Sequence, residues 1–150
     1  MIIREADLKK DALAIFEGAK AFSEKMDKFG LFPADDDFID AVAFVMSLPD
    51  VKVFLAEDHG RIVGGIGISY YPYLWNKDKT IGEELFIWAY DDAPLKAGYK
   101  LILKGLDDVK SKGAIPLFRS LSNSPGGVDK LYEKQGLHMV EKSYMGASWQ

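Results

Sequence analysis

Residues 51–71, VKVFLAEDHGRIVGGIGISYY, contain the pattern that most restricts what this chain can fold into. Two runs rich in β-branched and aromatic residues flank the polar turn Asp58-His59-Gly60, and this arrangement predicts a β-hairpin. The other elements of the fold are assigned around this hairpin.

Two helices are predicted before the hairpin. After a short first strand, MIIRE, apolar residues recur at spacings of three and four, as in an amphipathic helix with one buried face: Leu8, Ala12, Ile15, Phe16, Ala19 and Phe22. A second helix is expected to begin after Asp35-Asp36-Asp37, where Asp37 can cap free N–H groups. It must end before Pro49, because proline has no backbone N–H and fits poorly inside a helix.

Strands and helices alternate beyond the hairpin. Residues 71–82, YPYLWNKDKTIG, are polar and aromatic without a period, which predicts a loop, and the bulky residues 83–90, EELFIWAY, predict a strand. A helix that ends at Gly113 follows, with one apolar face: Leu101, Ile102, Leu106 and Val109. The remaining pattern predicts a strand, a short helix closed by Gly136 and a last strand, at residues 114–121, 126–136 and 137–147.

The resulting order is strand, two helices, three strands, helix, strand, helix, strand. It predicts an α/β fold with a mixed sheet, in a single domain over residues 1–150 without internal repeats or a linker. An antiparallel meander comes first and crossover helices follow. Because parallel neighbours need a crossover connection, residues 83–90 and 114–121 are expected to lie parallel.

Composition excludes several classes of protein. The 150 residues include no cysteine, which excludes disulfides, thiolate nucleophiles and cysteine zinc sites. The apolar runs are shorter than the roughly 20 residues that a bilayer span needs, and MIIREAD lacks the apolar core of a secretory signal. We therefore expect a cytoplasmic protein with no membrane partner.

The net charge of −4 is unevenly spread, because residues 1–50 hold 6 basic against 11 acidic side chains. This acidic front argues against nucleic acid as the ligand and favours a cationic partner, although acidity can also serve solubility alone.

Three other patterns invite functional interpretations that have simpler explanations. Asp35-Asp36-Asp37 could bind a metal or a cationic acceptor, yet a cap at the helix start is the simpler explanation. His59 and His138 are far apart and have no evident third ligand, so no metal site is expected. The glycines of GGIG at 64–67 lie inside a strand rather than between a strand and a helix, which favours a bend or bulge over a dinucleotide fingerprint.

The element order, with LYEKQGL at 131–137 and a strand, turn and helix through Gly98, resembles the GNAT superfamily of acyl-CoA-dependent N-acyltransferases. The resemblance covers nearly the whole chain. Leu131-Tyr132 and Gly136-Leu137 match the family's late-helix signature, with leucine where phenylalanine is usual. It implies a GNAT-like fold in which the strand at 83–90 splays from the strand at 114–121. The aromatic-rich strand and its loop are similar to short GNAT proteins carried by bacteriophages.

The resemblance implies acetyl-CoA as a cosubstrate. Its pantetheine arm would lie in the gap beside the splayed strand, and its diphosphate would lie at the following loop and helix start: Ile87, Trp88, Ala89 and Tyr90, then Leu95, Lys96, Ala97, Gly98 and Tyr99. A helix start suits an anion because it offers free N–H groups and the positive end of the helix dipole.

This loop departs from the family's pattern. Where Arg/Gln-x-x-Gly-x-Gly/Ala is usual, this chain has Ala93-Pro94-Leu95-Lys96-Ala97-Gly98, so only the final glycine is in register. Lys96 takes a glycine position and could offset the loss with a direct positive charge. Taken alone, the loop is weak evidence for a phosphate site, because a proline just before a helix is an ordinary helix start.

The resemblance also implies two catalytic side chains. Glu84, at the start of the splayed strand, matches the position of a carboxylate base, and Glu83 should point to the opposite face because side chains alternate along a strand. Tyr132 matches a tyrosine that can protonate the CoA sulfur, although a tyrosine on a short helix is often a core residue. Asn123 or Ser122 is a candidate near the acceptor or CoA.

Two functions from different classes follow. The first is an N-acetyltransferase that moves acetyl from acetyl-CoA to an amine, without a metal. Its acceptor, a small molecule or a protein, would enter between the first two helices and the loop at Tyr70–Trp75, near acidic residues 35–37 and 40. The second is a catalytically degenerate GNAT-fold binding or structural protein, for example phage-related. Exposed aromatic residues in that loop could form a homodimer contact or wall the pocket, so both a monomer and a homodimer are expected possibilities.

Overall fold

The computed structural model describes residues 1–26, 35–120, 124 and 126–144, without the side chains of residues 35, 36 and 38. The elements follow the order β1 (Ile2–Glu5), α1 (Leu8–Met26), α2 (Asp35–Ser47), β2 (Val51–Asp58), β3 (Arg61–Tyr73), β4 (Asn76–Ala89), α3 (Ala97–Ser111), β5 (Ile115–Leu117) and α4 (Val128–Lys134).

The described strands form one mixed sheet in the order β1-β2-β3-β4-β5. The first four strands pair antiparallel, and β4 pairs with β5 in parallel through the α3 crossover. This confirms the predicted α/β fold with an antiparallel meander followed by a parallel pair.

The predicted hairpin is present as β2 and β3. His59 and Gly60 form its two-residue turn, with φ of 49° and 78°. Positive φ at both central residues is the geometry that matches the right-handed twist of the flanking strands, and glycine adopts it without steric cost.

The prediction of a loop at residues 71–82 is wrong. Strand β3 continues to Tyr73 and β4 already begins at Asn76, so most of this segment forms the end of a second hairpin, between β3 and β4, with Tyr71 paired to Ile81. Residues 71–80 are exposed because the ladder runs past the helices that cover the sheet. With neither face buried, the segment has no hydrophobic alternation to mark it as a strand.

The prediction of a last strand at 137–147 is wrong for the part that the structure describes. Residues 137–144 form no strand, and Met139, Val140 and Tyr144 are 79%, 80% and 92% exposed. The apolar residues of this segment do not alternate, so they define no face that a sheet could bury. Residues 145–147 lie outside the described part.

The start of α2 differs from the prediction, whereas the ends of α2 and α3 agree with it. Helix α2 begins at Asp35, so Asp37 lies inside its first turn instead of capping it. Carboxylates are favourable there because they face the positive end of the helix dipole. As predicted, α2 ends before Pro49, and α3 is followed by Gly113 with φ of 63°.

The helices bury opposite faces of the sheet. On one face α3 packs on β2 and β3, in a cluster that includes Phe54, Ile66, Ile68, Leu101 and Val109. On the other face α1 and α2 pack over a second cluster: Ile15, Val53, Leu55 and Trp88, with Phe22, Val42 and Met46 around it. Neighbouring β2 residues alternate between the two clusters, as a pleated strand requires. Within the described chain, no helix combines the length and hydropathy that crossing a membrane would require.

Candidate active site

The two parallel strands separate part-way along β4. Their pairing consists of Ile81 with Ile115, Gly82 with Pro116 and Glu83 with Leu117. Strand β4 continues to Ala89, while β5 ends at Leu117. The β5 side of Glu84–Ala89 therefore has no strand partner in the described chain, and a gap opens there.

A β-bulge lies at the point where the gap opens. Gly67 pairs with Phe86 and Ile68 with Glu84, so Leu85 is an extra residue on β4. The bulge shifts the alternation of the strand, which explains why Phe86 and Trp88 pack under α1 whereas Glu84 lies on the α3 face with Tyr132. Backbone groups at such a bulge are released from the regular ladder.

The glycines of GGIG on β3 lie beside the bulky side chains of β4. A Cβ at Gly67 would lie 2.5 Å from the Phe86 ring, and one at Gly65 would lie 3.0 Å from Trp88 Nε1. Glycine at these positions makes room for the bulky side chains of β4. A register shift lies beside these glycines, between Gly67 and Ile68, but its extra residue, Leu85, belongs to β4 and not to GGIG, where the sequence predicts a bend or bulge.

The two predicted catalytic side chains are in direct contact. The Tyr132 hydroxyl lies 3.0 Å from Glu84 Oε2 and 3.0 Å from the Arg119 carbonyl oxygen, so it can donate to either acceptor. Glu84 is 4% exposed and Tyr132 is 8% exposed. Helix α4 holds the tyrosine in place by packing it against Ile102 and Leu106 of α3.

Burial shifts the pKa of both groups upward. Desolvation raises the pKa of Glu84 to about 7, although the hydrogen bond from Tyr132 and the charge of Arg119 act against the shift. Desolvation, together with the charge of Glu84, holds the pKa of Tyr132 well above its usual range. At neutral pH the tyrosine is therefore a phenol that can donate, and Glu84 is near its titration midpoint.

Arg119 is a site residue that the sequence did not reveal. Its Nη1 donates to the Glu84 carbonyl oxygen at 2.8 Å, and its Nη2 pairs with the Glu83 carboxylate. Glu83 thus points away from Glu84, as predicted, and it also contacts Tyr71, where burial and this hydrogen bond raise the pKa of the phenol to about 12. The sequence did contain a signal for this contact: Arg119 lies near the end of one predicted strand, and Glu83-Glu84 begin the strand that is expected to lie beside it.

The predicted diphosphate loop leads into the N-terminus of α3. The Ala97 N–H donates to the Pro94 carbonyl at 2.8 Å, and no side chain caps the helix. Among the described residues, the backbone bonds at this helix start come from the amides of Ala97 and Lys100, and none comes from the amides of Gly98 or Tyr99. A Cβ added at Gly98 would meet no atom within 4 Å. Lys96 is exposed beside these amides, and Leu95 is fully exposed. These donors suit an anion.

Two carboxylates precede this helix start, and both are paired. Asp91 accepts from Lys25 of α1 at 2.9 Å, and Asp92 accepts from Arg61 of β3 at 2.6 Å. These pairs offset negative charge that would otherwise repel an anion at α3.

The structure divides the predicted pantetheine contacts between the two faces of β4. Ile87 and Ala89 pack on the α3 face, whereas the Trp88 and Tyr90 side chains pack on the α1 face. Trp88 is buried against Gly18 and Gly65, so only its backbone can face the gap. Ser122 and Asn123 lie outside the described residues.

Of the predicted acceptor entrance between the first two helices and Tyr70–Trp75, the structure turns Tyr70 elsewhere. Tyr70 is half-buried and its hydroxyl bonds Asp108 of α3, which turns it away from the first two helices. Between α1 and α2 there is instead an apolar groove of about 240 Å³, lined in part by Leu8, Phe16, Ile39 and Met46. None of the described residues form a cluster of three or more side chains suited to hold a metal ion.

Solved structures with this architecture include several acetyltransferases. The ribosomal-protein-alanine N-acetyltransferase from Brucella melitensis biovar Abortus 2308 is similar at a TM-score of 0.71 and 15% identity, over 99% of this chain and 100% of that one. A predicted acetyltransferase with acetyl-CoA from Clostridium acetobutylicum is similar at 0.72 and 13%, over 96% and 94%. The chain has the GNAT acetyltransferase fold.

This chain shares the GNAT fold with solved structures whose sequences differ widely from its own. A transcriptional regulator from Bacillus halodurans C-125 is similar at a TM-score of 0.75 and 14% identity, over 98% of this chain and 99% of that one. The sequence matches no protein-family model and no curated protein. Since one fold carries many functions, the activity must be argued from the gap and the residues around it.

Proposed function

We propose that this protein is an N-acetyltransferase that moves an acetyl group from acetyl-CoA to a primary amine by direct attack in a ternary complex. The observation that carries the proposal is the contact between Glu84 and Tyr132 where β4 and β5 separate. A base and an acid held at one end of an open strand edge are the two groups that amide formation from a thioester requires.

Glu84 is proposed as the base. An alkyl ammonium has a pKa near 10.4, so the attacking nitrogen must lose a proton before it can form a bond. Because burial raises the pKa of Glu84 to about 7, its carboxylate is a stronger base than a solvated glutamate and is still substantially ionised at neutral pH. It would take the amine proton directly or through a water molecule.

Tyr132 is proposed as the acid. Its pKa lies well above the usual range, so the hydroxyl stays protonated at neutral pH. It now donates toward Glu84 or the Arg119 carbonyl, and it would turn toward the departing sulfur to deliver its proton. Formation of the N–C bond leaves an extra proton on the nitrogen, and cleavage of the C–S bond leaves Tyr132 as a phenolate. The nitrogen returns its second proton to that phenolate, so the products are a neutral amide and a free thiol, and Glu84 releases the first proton to solvent.

Acetyl-CoA would supply the acetyl group as a thioester. The residues present fit such a molecule in two places: the open edge of Glu84–Ala89 and the amides of Gly98 and Tyr99 at the start of α3. Lys96 would add a positive charge to the diphosphate position in place of the absent loop glycines. A backbone N–H near the bulge would polarise the acetyl carbonyl.

The acceptor is proposed to be a cationic amine on a small molecule or a protein. This choice follows from the acidic front of the chain, in which Asp37 and Asp40 are exposed on α2. We propose action in the cytoplasm, as a monomer or a homodimer, without nucleic acid, membrane or metal.

A second candidate is a GNAT-fold binding or structural protein with little catalysis, for example phage-related. The observation that favours it is the helix start, where Leu95 is fully exposed and glycines usual in the family are replaced. Under this alternative the protein would bind a partner without turning over acetyl-CoA.

Turnover distinguishes the two candidates. The purified protein is incubated with acetyl-CoA and a panel of polyamines, aminoglycosides and lysine-containing peptides, and free thiol and acetylated product are both measured. The enzyme should release thiol in proportion to product, and Glu84→Gln should abolish both. Thiol release at the rate of the protein-free blank across the panel would favour the binding protein.

A further inference from the structure

Arg119 touches both proposed catalytic residues and both sides of the gap. Its guanidinium bonds the Glu84 carbonyl and the Glu83 carboxylate on β4, while its own carbonyl accepts from Tyr132 on α4. We propose that Arg119 is a positioning residue that fixes where β4 and β5 separate and holds the Glu84–Tyr132 pair in its working geometry. The inference rests on the proposed function for its catalytic consequence.

The location of Arg119 supports this role. The last β4–β5 pair is Glu83 with Leu117, and Arg119 follows two residues later. At that point the strand hydrogen bonds have ended, so the side chain of Arg119 continues the link to β4 for one more residue. It closes the base of the gap, whereas the strand beyond Glu84 stays open.

The guanidinium is suited to this link in a way that an ammonium is not. It presents donors in a rigid fork, so Nη1 and Nη2 reach a main-chain carbonyl and a neighbouring carboxylate together. A lysine at 119 would keep the positive charge but could not hold both acceptors in fixed directions. Arg119→Lys therefore removes the fixed geometry of the link while it keeps the positive charge.

Arg119 is also the cation that acts on Glu84. From α4 the carboxylate faces the Tyr132 hydroxyl, from β3 its register partner is Ile68, and on β4 the neighbouring Glu83 is paired to Arg119. The α3 residues that pack with Tyr132 in its buried cluster are Ile102 and Leu106. Burial raises the pKa of Glu84 and the positive charge of Arg119 opposes this, so removing the charge should raise that pKa further.

The test compares Arg119→Lys with Arg119→Gln. The Glu84 carboxyl is titrated by carbon-13 NMR in each protein, with its resonance assigned by its absence from Glu84→Gln. We expect a higher midpoint than wild type in Arg119→Gln and a midpoint near wild type in Arg119→Lys. Arg61→Gln, which breaks an exposed ion pair with Asp92, is the control and should leave the Glu84 midpoint unchanged.

Steady-state kinetics supply the second readout. Both Arg119 variants should lose about 10- to 100-fold in kcat because the pair is misplaced, with a smaller change in the KM for acetyl-CoA. Wild-type kcat in Arg119→Lys, or an unchanged Glu84 midpoint in Arg119→Gln, would overturn the inference. If the wild type acetylates no amine, the proposed function fails, and the NMR midpoints still decide whether Arg119 controls the carboxyl.

Discussion

Tyr132 Oη lies 3.0 Å from Glu84 Oε2, across the point where the two parallel strands separate. The contact joins residues 48 positions apart, one from β4 and one from α4, and both side chains are buried. A buried carboxyl next to a buried phenol costs free energy unless the two share a hydrogen bond, so their pairing explains how the fold tolerates both. It also couples the titration of the proposed base to the position of the proposed acid.

Tyr132→Phe should lower kcat and shift the pH profile. Loss of the proton donor should reduce kcat by roughly 100-fold, whereas the dissociation constant for acetyl-CoA should change little. The hydrogen bond from Tyr132 lowers the pKa of Glu84, so its removal should move the acid limb of the kcat profile to a higher pH than in the wild type. An unchanged kcat and acid limb would remove Tyr132 from the mechanism.

Glu84 should make folding stability depend on pH. Its pKa rises from 4.5 in the unfolded chain to about 7 in the fold, so the native state binds the proton more tightly. The stabilising contribution is fully present below 4.5 and is lost as the pH rises to about 7, which amounts to about 3 kcal/mol. Urea unfolding of wild type and Glu84→Gln at pH 5 and pH 8 measures it.

The comparison with Glu84→Gln isolates this residue from all other titrating groups. We expect the free energy of unfolding of wild type to fall relative to Glu84→Gln between pH 5 and pH 8. Parallel pH dependences in the two proteins would show that Glu84 titrates in the fold as it does in the unfolded chain.

Lys96→Ala should weaken acetyl-CoA binding and its dependence on salt. Lys96 is exposed, so the contact should contribute about 1 kcal/mol at low ionic strength and less as salt screens it. Calorimetric titrations at two salt concentrations measure both effects. Lys110→Ala, at the other end of α3, is the matched control and should bind as wild type does. Equal affinity of wild type and Lys96→Ala at low salt would contradict a diphosphate contact.

Two helical glycines should respond oppositely to alanine. A Cβ at Gly18 would lie 2.1 Å from the Trp88 ring, so Gly18→Ala should destabilise the fold by about 1–3 kcal/mol. At Gly98 the new Cβ would meet no atom within 4 Å, so Gly98→Ala should be neutral or stabilising by up to about 1 kcal/mol. Thermal unfolding measures both. Equal melting temperatures for the two variants would contradict the packing of Trp88 against α1.

Gly98→Ala also tests the anion site at the start of α3. Gly98→Ala should weaken acetyl-CoA binding while it preserves stability, because the diphosphate would approach the backbone closely at this position. Unchanged affinity would place the diphosphate elsewhere.

The sequence predicted those parts of the fold that leave a burial pattern. The hairpin turn at His59-Gly60, the buried face of α3 and the order of the described elements before the last strand are confirmed. Hydrophobic periodicity reports burial, so it could not show that residues 71–80 pair as strands in solvent. It equally failed at residues 137–144, whose exposed apolar side chains form no strand.

The site was predicted less completely because it depends on how strands pair. Glu84 and Tyr132 were chosen from the family resemblance, and their contact follows from the α3 crossover and the packing of α4. The bulge at Leu85 could not be predicted, because an extra residue is defined only against its partner strand. The pantetheine contacts at residues 87–90 also come from the resemblance, and the bulge decides which of their side chains lie on each face: that of Trp88 packs in the core opposite Glu84. Arg119 acts through its pairing with β4 and was missed for the same reason.

Acetyl-CoA is proposed to bind in the gap between β4 and β5, and an amide NMR titration of the nitrogen-15-labelled protein tests this proposal. Acetyl-CoA should bind near micromolar concentration, with the largest shifts along Leu85–Ala89 and at Gly98 and Tyr99. Pantetheine should shift the strand residues alone, because it lacks the diphosphate. No shifts at millimolar acetyl-CoA, or shifts confined to the apolar groove between α1 and α2, would contradict the account.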